Sequence, residues 1–225
     1  MIISQGRRYI FVHIPKTGGT ALTLALEARA MKDDILIGDT PKAQARKKRL
    51  KDLPAKGRLW KHATLADLDG LFGAAELDRY FIFSLVRNPW DRAVSYYHWL
   101  RDQGFAHPAV TLAQQTSFSA FLNHPQTRTS FQNWPASAYL RDASGVEHCQ
   151  LYIRLEHLAQ DIAPLEAHLG FSLTPLPRAN RSARDTDWRG YYSDADAALI
   201  ARICAEDITR FGYRFDDAAT SRHPE

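Results

Sequence analysis

Apolar positions along the chain follow two periods, and each marks a different element. The run from Arg8 to Ile14 (RYIFVHI) is short, β-branched and aromatic, and it stops at a proline and a glycine pair. That pattern predicts a buried strand feeding a turn. From Gly19 to about Met31 the apolar residues Ala21, Leu22, Ala25, Leu26 and Ala28 take helical spacing. Tyr80 to Val86 (YFIFSLV) is nearly continuous in apolar character, as strands buried on both faces of a parallel sheet are. Asn88 and Pro89 then suit the N-cap and first position of a helix. Trp90, Ala93, Val94, Tyr97 and Leu100 line its inner face. The chain thus contains two strand–turn–helix units.

Between and after these units the signals are weaker. Asp39 to Leu53 reads as a basic, exposed helix, and Leu65 to Leu77 as short helical turns. Phe105 to Ser144 reads as irregular, with one short helix near Ser117 to Leu122. Cys149 to Leu155 is a third strand, followed by a helix from Glu156 to about Gly170. Pro175 to Tyr192 is loop and gathers Arg178, Arg181, Arg184 and Arg189. Ser193 with Asp196 resembles a capping box for a final helix striped by Ile200, Ile203, Cys204, Ile208 and Phe211. Residues 216–225 read as a frayed tail. With no internal repeat and no linker, the expectation is one α/β domain over residues 1–225, built on a mostly parallel sheet.

Composition narrows the function classes. The 225 residues, 45% hydrophobic, suffice for one sizeable core. No apolar run approaches the length of a membrane span, and the N-terminus has no apolar signal-peptide region, so a soluble cytoplasmic protein is expected. Cys149 and Cys204 lie far apart without ligand spacing, and Cys204 reads as a buried inert thiol. No His/Cys cluster suggests zinc and no Asp-rich loop suggests calcium, so no metal is expected. The net charge is +4, and nine Lys or Arg residues fall between Lys42 and Lys61 against one acid, Asp52. That run is either a solvated helix face or an attraction to an anionic partner.

The chemistry concentrates at Pro15-Lys16-Thr17-Gly18-Gly19-Thr20. Two glycines at a strand-to-helix turn let backbone approach a ligand, and free N–H groups at the helix start favour an anion. Thr17 and Thr20 add hydroxyls and Lys16 adds charge. A nucleoside triphosphate loop instead needs Lys after its last Gly, and none of the twelve glycines is followed by Lys. The Tyr80 strand also ends in Arg87, where a magnesium-binding Asp would stand in such an enzyme. The turn therefore suits a phosphate-like anion without a metal.

His13 to Thr20 closely resembles the 5′-phosphosulfate loop of sulfotransferases, and Val86 to Tyr97 (VRNPWDRAVSYY) resembles their 3′-phosphate segment. The variant is that of the bacterial and Golgi carbohydrate-type branch. Weaker similarity continues through Arg154-Leu155-Glu156, Leu176 to Ser182, Asp207 and Phe211-Gly212-Tyr213. The resemblance implies a P-loop-like three-layer fold, with helices flanking a central, mostly parallel sheet. It implies 3′-phosphoadenosine 5′-phosphosulfate (PAPS) as donor and a hydroxyl acceptor, a glycan in this branch. It assigns Lys16, Thr17, Gly18, Gly19 and Thr20 to the phosphosulfate, and Arg87, Ser95, Arg181 and Ser182 to the 3′-phosphate. An Arg fork and a hydroxyl are suited to that clamp, although Arg87 could instead pair with Asp91 or Glu156. The aromatic that cytosolic relatives often place against adenine near Leu155 is not evident.

A base for the acceptor hydroxyl is sought among His13, His62 and His98, with Glu27 as a further alternative. His62, in Trp60-Lys61-His62-Ala63-Thr64, matches a recurring His of this branch and is the assignment made; Lys16 stabilises the leaving phosphate. Two other classes stay open at this level: a P-loop kinase, and a non-catalytic nucleotide- or polyanion-binding module. No nucleic-acid motif is found.

Overall fold

The structure is a computed structural model of the chain, and it describes all residues except 178, 180–183, 186 and 218–225. In chain order, strands β1 (Ile2–Ser4) and β2 (Tyr9–Val12) precede helix α1 (Gly19–Ala28) and strand β3 (Ile35–Leu36). Helices α2 (Pro41–Arg46) and α3 (Ala74–Leu77) lead to β4 (Phe81–Val86) and α4 (Pro89–Arg101). Four helices follow: α5 (Pro108–Gln115), α6 (Phe118–Asn123), α7 (Pro125–Asn133) and α8 (Ala136–Tyr139). Strand β5 (Leu151–Arg154) precedes α9 (Leu158–Asp161) and α10 (Ala163–Leu169), and α11 (Asp194–Ile203) and α12 (Ala205–Phe211) complete the described chain.

The strands form one sheet in the order β3-β1-β2-β4-β5. Its centre is parallel, with Val12 level with Ser84 across β2 and β4, and Val86 level with Arg154 across β4 and β5. The β1 and β3 side is antiparallel, a mixed edge on the expected parallel core. By contact the chain divides into two compact units. The first holds Met1–Val86 and the described residues between 136 and 180, and it contains the whole sheet. Its core joins Phe11, Phe83, Leu85 and Ile153 of the strands to Leu22 and Leu26 of α1 and Leu165 of α10.

The second unit holds Arg87–Pro135 and the described residues after 180. It packs around buried Trp90, Tyr97, Phe121 and Trp188. The Trp90 indole donates to Ala197 O at 3.0 Å, and the Tyr192 hydroxyl donates to Trp90 O at 2.8 Å. Asn88 caps α4 as expected, its side chain accepting from Trp90 N at 3.1 Å, with Pro89 at the first position. The stretch expected to be irregular, Phe105 to Ser144, instead carries α5 to α8. Two of these helices begin His-Pro, and the His107 and His124 rings do the capping usually done by Ser or Asp. The helix expected from Glu156 is broken before Pro164 into α9 and α10, and the final helix breaks at Cys204. No helix among the described residues is long and apolar enough to cross a membrane.

Candidate active site

The loop from β2 into α1 has backbone suited to an anion. Lys16 takes φ 67° and Gly18 φ 81°, two left-handed residues within three positions. Left-handed residues in a strand-to-helix turn are the usual framework of an anion-binding nest. Gly18 is the N-cap of α1 and, having no side chain, supplies no cap; the first turn also holds no acidic residue. No cap side chain and no first-turn carboxylate therefore offsets the positive end of the helix dipole. The Thr17 hydroxyl is not offered to a ligand: it is buried and donates to Ile14 O at 2.9 Å, stapling the turn. What Thr17 has to give an anion is its backbone N–H.

Two histidines stand against this turn. The His13 ring is buried, and a Cβ built on Gly19 would lie 2.3 Å from His13 Cδ2 and 2.5 Å from Nε2. Glycine at 19 is what admits the ring. His62 packs edge-on to His13, centroids 4.8 Å apart, and its Nδ1 lies 2.7 Å from His13 O. A carbonyl only accepts, so Nδ1 carries the proton and Nε2 carries the lone pair. Burial pushes the His62 pKa down to about 4 against the weaker upward pull of that carbonyl, and burial drives His13 well below 6.5. Both rings are neutral at physiological pH. His62 Nε2 has no hydrogen-bond partner among the described residues, which is the state a general base requires.

In the second unit, Arg87 follows directly on β4 and turns its guanidinium to Asp91, with Nε 2.8 Å and Nη2 2.6 Å from Oδ2. Asp91, 1% exposed, also receives Arg184 on Oδ1. One carboxylate thus holds two arginines. Ser95, one helical turn beyond Asp91, is buried, and its hydroxyl makes no hydrogen bond among the described residues. The ion pair with Asp91, open at the sequence level, is therefore real, and it orients Arg87. Arg181 and Ser182 lie outside the described residues.

Residues 1–214 match the family described as "Sulfotransferase family". The chain belongs to the sulfotransferase family. A solved structure of the mouse sulfotransferase SULT7A1 complexed with PAP is similar at 17% identity and a TM-score of 0.44, covering 92% of this chain and 85% of that one. None of the curated proteins matches.

Three features of the sulfotransferase escape sequence reading. Arg184 stood in a visible arginine cluster, but only the fold selects it for Asp91, while Arg189 pairs with Asp187 at 2.8 Å. Glu27, an alternative base by sequence, is buried and accepts the Thr40 hydroxyl at 2.8 Å, fixing the N-cap of α2. Part of the basic run is committed to backbone: Lys42 donates to Glu27 O, Arg46 to Met31 O and Asp34 O, and Arg49 to Lys32 O. Cys204 is buried, and burial pushes its thiol up to about 12, as an inert core cysteine should be.

Proposed function

We propose that this sulfotransferase carries the sulfuryl group of PAPS to a hydroxyl of a carbohydrate by in-line transfer. The observation that supports the reading best is the coupling of the Lys16–Thr20 turn to a histidine of fixed tautomer. His62 is bonded to the carbonyl of the residue whose ring packs on Gly19. In this reading the phosphosulfate takes the N–H groups of Thr17, Gly18, Gly19 and Thr20 with Lys16 beside it. Arg87 and Ser95, with Arg181 and Ser182, take the 3′-phosphate.

The acceptor oxygen bonds to sulfur as the bond from sulfur to the 5′-phosphate oxygen breaks. The electron pair leaves with adenosine 3′,5′-bisphosphate, whose charge Lys16 offsets, and the acceptor proton passes to His62 Nε2. Positioning and charge stabilisation dominate such transfers, as they do for phosphoryl groups. The motif resemblance to the carbohydrate branch supports a glycan acceptor.

Transfer of labelled sulfate from PAPS to a glycan panel tests the reading. His62→Ala is expected to lower turnover about 10²–10⁴-fold, the usual worth of a general base, with bisphosphate affinity nearly intact. Wild-type turnover in that variant would remove His62 as base. Failure of the wild-type protein to sulfate any acceptor would remove the carbohydrate assignment.

A further inference from the structure

Trp60 is an unusual residue to find two positions before His62 with 44% of its surface in water. Its ring centroid lies 5.2 Å from that of His62, nearly perpendicular at 85°. The Arg58 guanidinium lies over the same indole, 5.4 Å from the ring centroid. Among the described residues neither the indole N–H nor any Arg58 donor has a hydrogen-bond partner, and no carboxylate pairs with Arg58. Other cations of the basic run are engaged. Lys61 pairs with Asp39 at 3.0 Å, and Lys42, Arg46 and Arg49 donate to backbone carbonyls. Arg58, set over the indole that packs on His62, keeps its donors open among the described residues.

We propose that Trp60 and Arg58 form an acceptor subsite for a pyranose ring bearing a carboxylate or sulfate, and that this pair sets the enzyme's acceptor specificity. The proposal rests on the reading of His62 as the base. The C–H face of a sugar stacks on indole, and the indole N–H is there for a ring hydroxyl. The contact with the indole leaves the guanidinium N–H donors without a protein partner among the described residues, and an Arg fork grips a carboxylate or sulfate in bidentate fashion. Because the stack already holds Arg58, little further side-chain freedom is lost when the anion arrives. A phenol would stack on Trp60 equally well but give Arg58 no anion. Within the basic run inferred from sequence, Arg58 is therefore the discriminating residue.

The test uses the full chain with saturating PAPS and three acceptors: methyl glucuronide, a methyl galactoside sulfate and neutral methyl galactoside. Trp60→Ala is expected to raise KM for all three about tenfold, the worth of one stacking contact, with a smaller change in kcat, and Trp60→Phe to recover most of the loss. Arg58→Ala is expected to cut the kcat/KM preference for the anionic sugars over the neutral one about tenfold, and Arg58→Lys to restore it only in part. Thermal stabilisation by adenosine 3′,5′-bisphosphate is expected to be the same in every variant. Unchanged KM in both alanine variants overturns the subsite. So does a loss confined to kcat, a wild-type preference for the neutral sugar or a simple phenol, or no use of any of the three sugars. A wild-type protein that the bisphosphate fails to stabilise would instead overturn the donor reading, and the subsite with it.

Discussion

Gly19 leaves no room for a side chain, because the His13 ring occupies the place of its Cβ. Gly19→Ala must displace that ring, and overpacking of a close core position is costly, about 1–3 kcal/mol. We expect a lower Tm and loss of bisphosphate-induced stabilisation, both read in one thermal-shift series. The histidines give a second prediction, with a definite sign. His62 has a folded pKa of about 4 and an unfolded value near 6.5, so between these pH values the unfolded chain binds more protons. Stability should therefore fall as pH drops from 6.5 toward 4, with His13 adding to the fall in the same direction. His62→Asn should flatten the Tm–pH curve in that window. If His62 is the base proposed above, acceptor turnover should hold through neutral pH and be lost on acidification through about 4, as His62 becomes protonated. The turn residues were legible in sequence because their chemistry is local. The tautomer of His62 was not, since it depends on a carbonyl 49 residues away.

At the level of elements, α4 depends on Asn88, which caps Trp90 N and also donates to Arg214 O at 3.2 Å. Asn88→Ala should cost about 1 kcal/mol from the cap alone and lower Tm by several degrees, checked by calorimetry. The strands β2 and β4 and the starts of α1 and α4 were readable from periodicity, since long buried strands and Asn-Pro caps leave strong patterns. Strands β1 and β3 have three and two residues, too short for any period to register, and only pairing with β2 and with each other defines them. Helices α5 and α7 were hidden by their start signals, His107-Pro108 and His124-Pro125, where imidazole replaces the expected capping hydroxyl or carboxylate. The break at Cys204 could not be seen either, because its apolar stripe runs unbroken through α11 and α12.

For the whole molecule, the family match runs through residues 1–214 and so takes in both compact units. A ligand that binds only the folded chain must stabilise it, by about 2.7 kcal/mol at a hundredfold excess over Kd. Adenosine 3′,5′-bisphosphate should raise Tm accordingly, whereas ATP with magnesium should do so weakly, because the turn lacks the Gly-Lys order of a triphosphate loop. The sulfotransferase family, the strand-to-helix turn at Lys16–Thr20 and the Asn88 cap that follows Arg87 were all legible in sequence. Arg184, Trp60 and Arg58 were not singled out, because each is given its place by a partner that only folding supplies.

The most direct test is a balance of products. Purified protein is incubated with labelled PAPS and a glycan acceptor, and the label on the glycan is compared with adenosine 3′,5′-bisphosphate released. The expected result is equal amounts of the two, formed without added magnesium and abolished in Lys16→Met. Magnesium-dependent turnover of ATP, with the sulfuryl group left on its donor, would contradict the account.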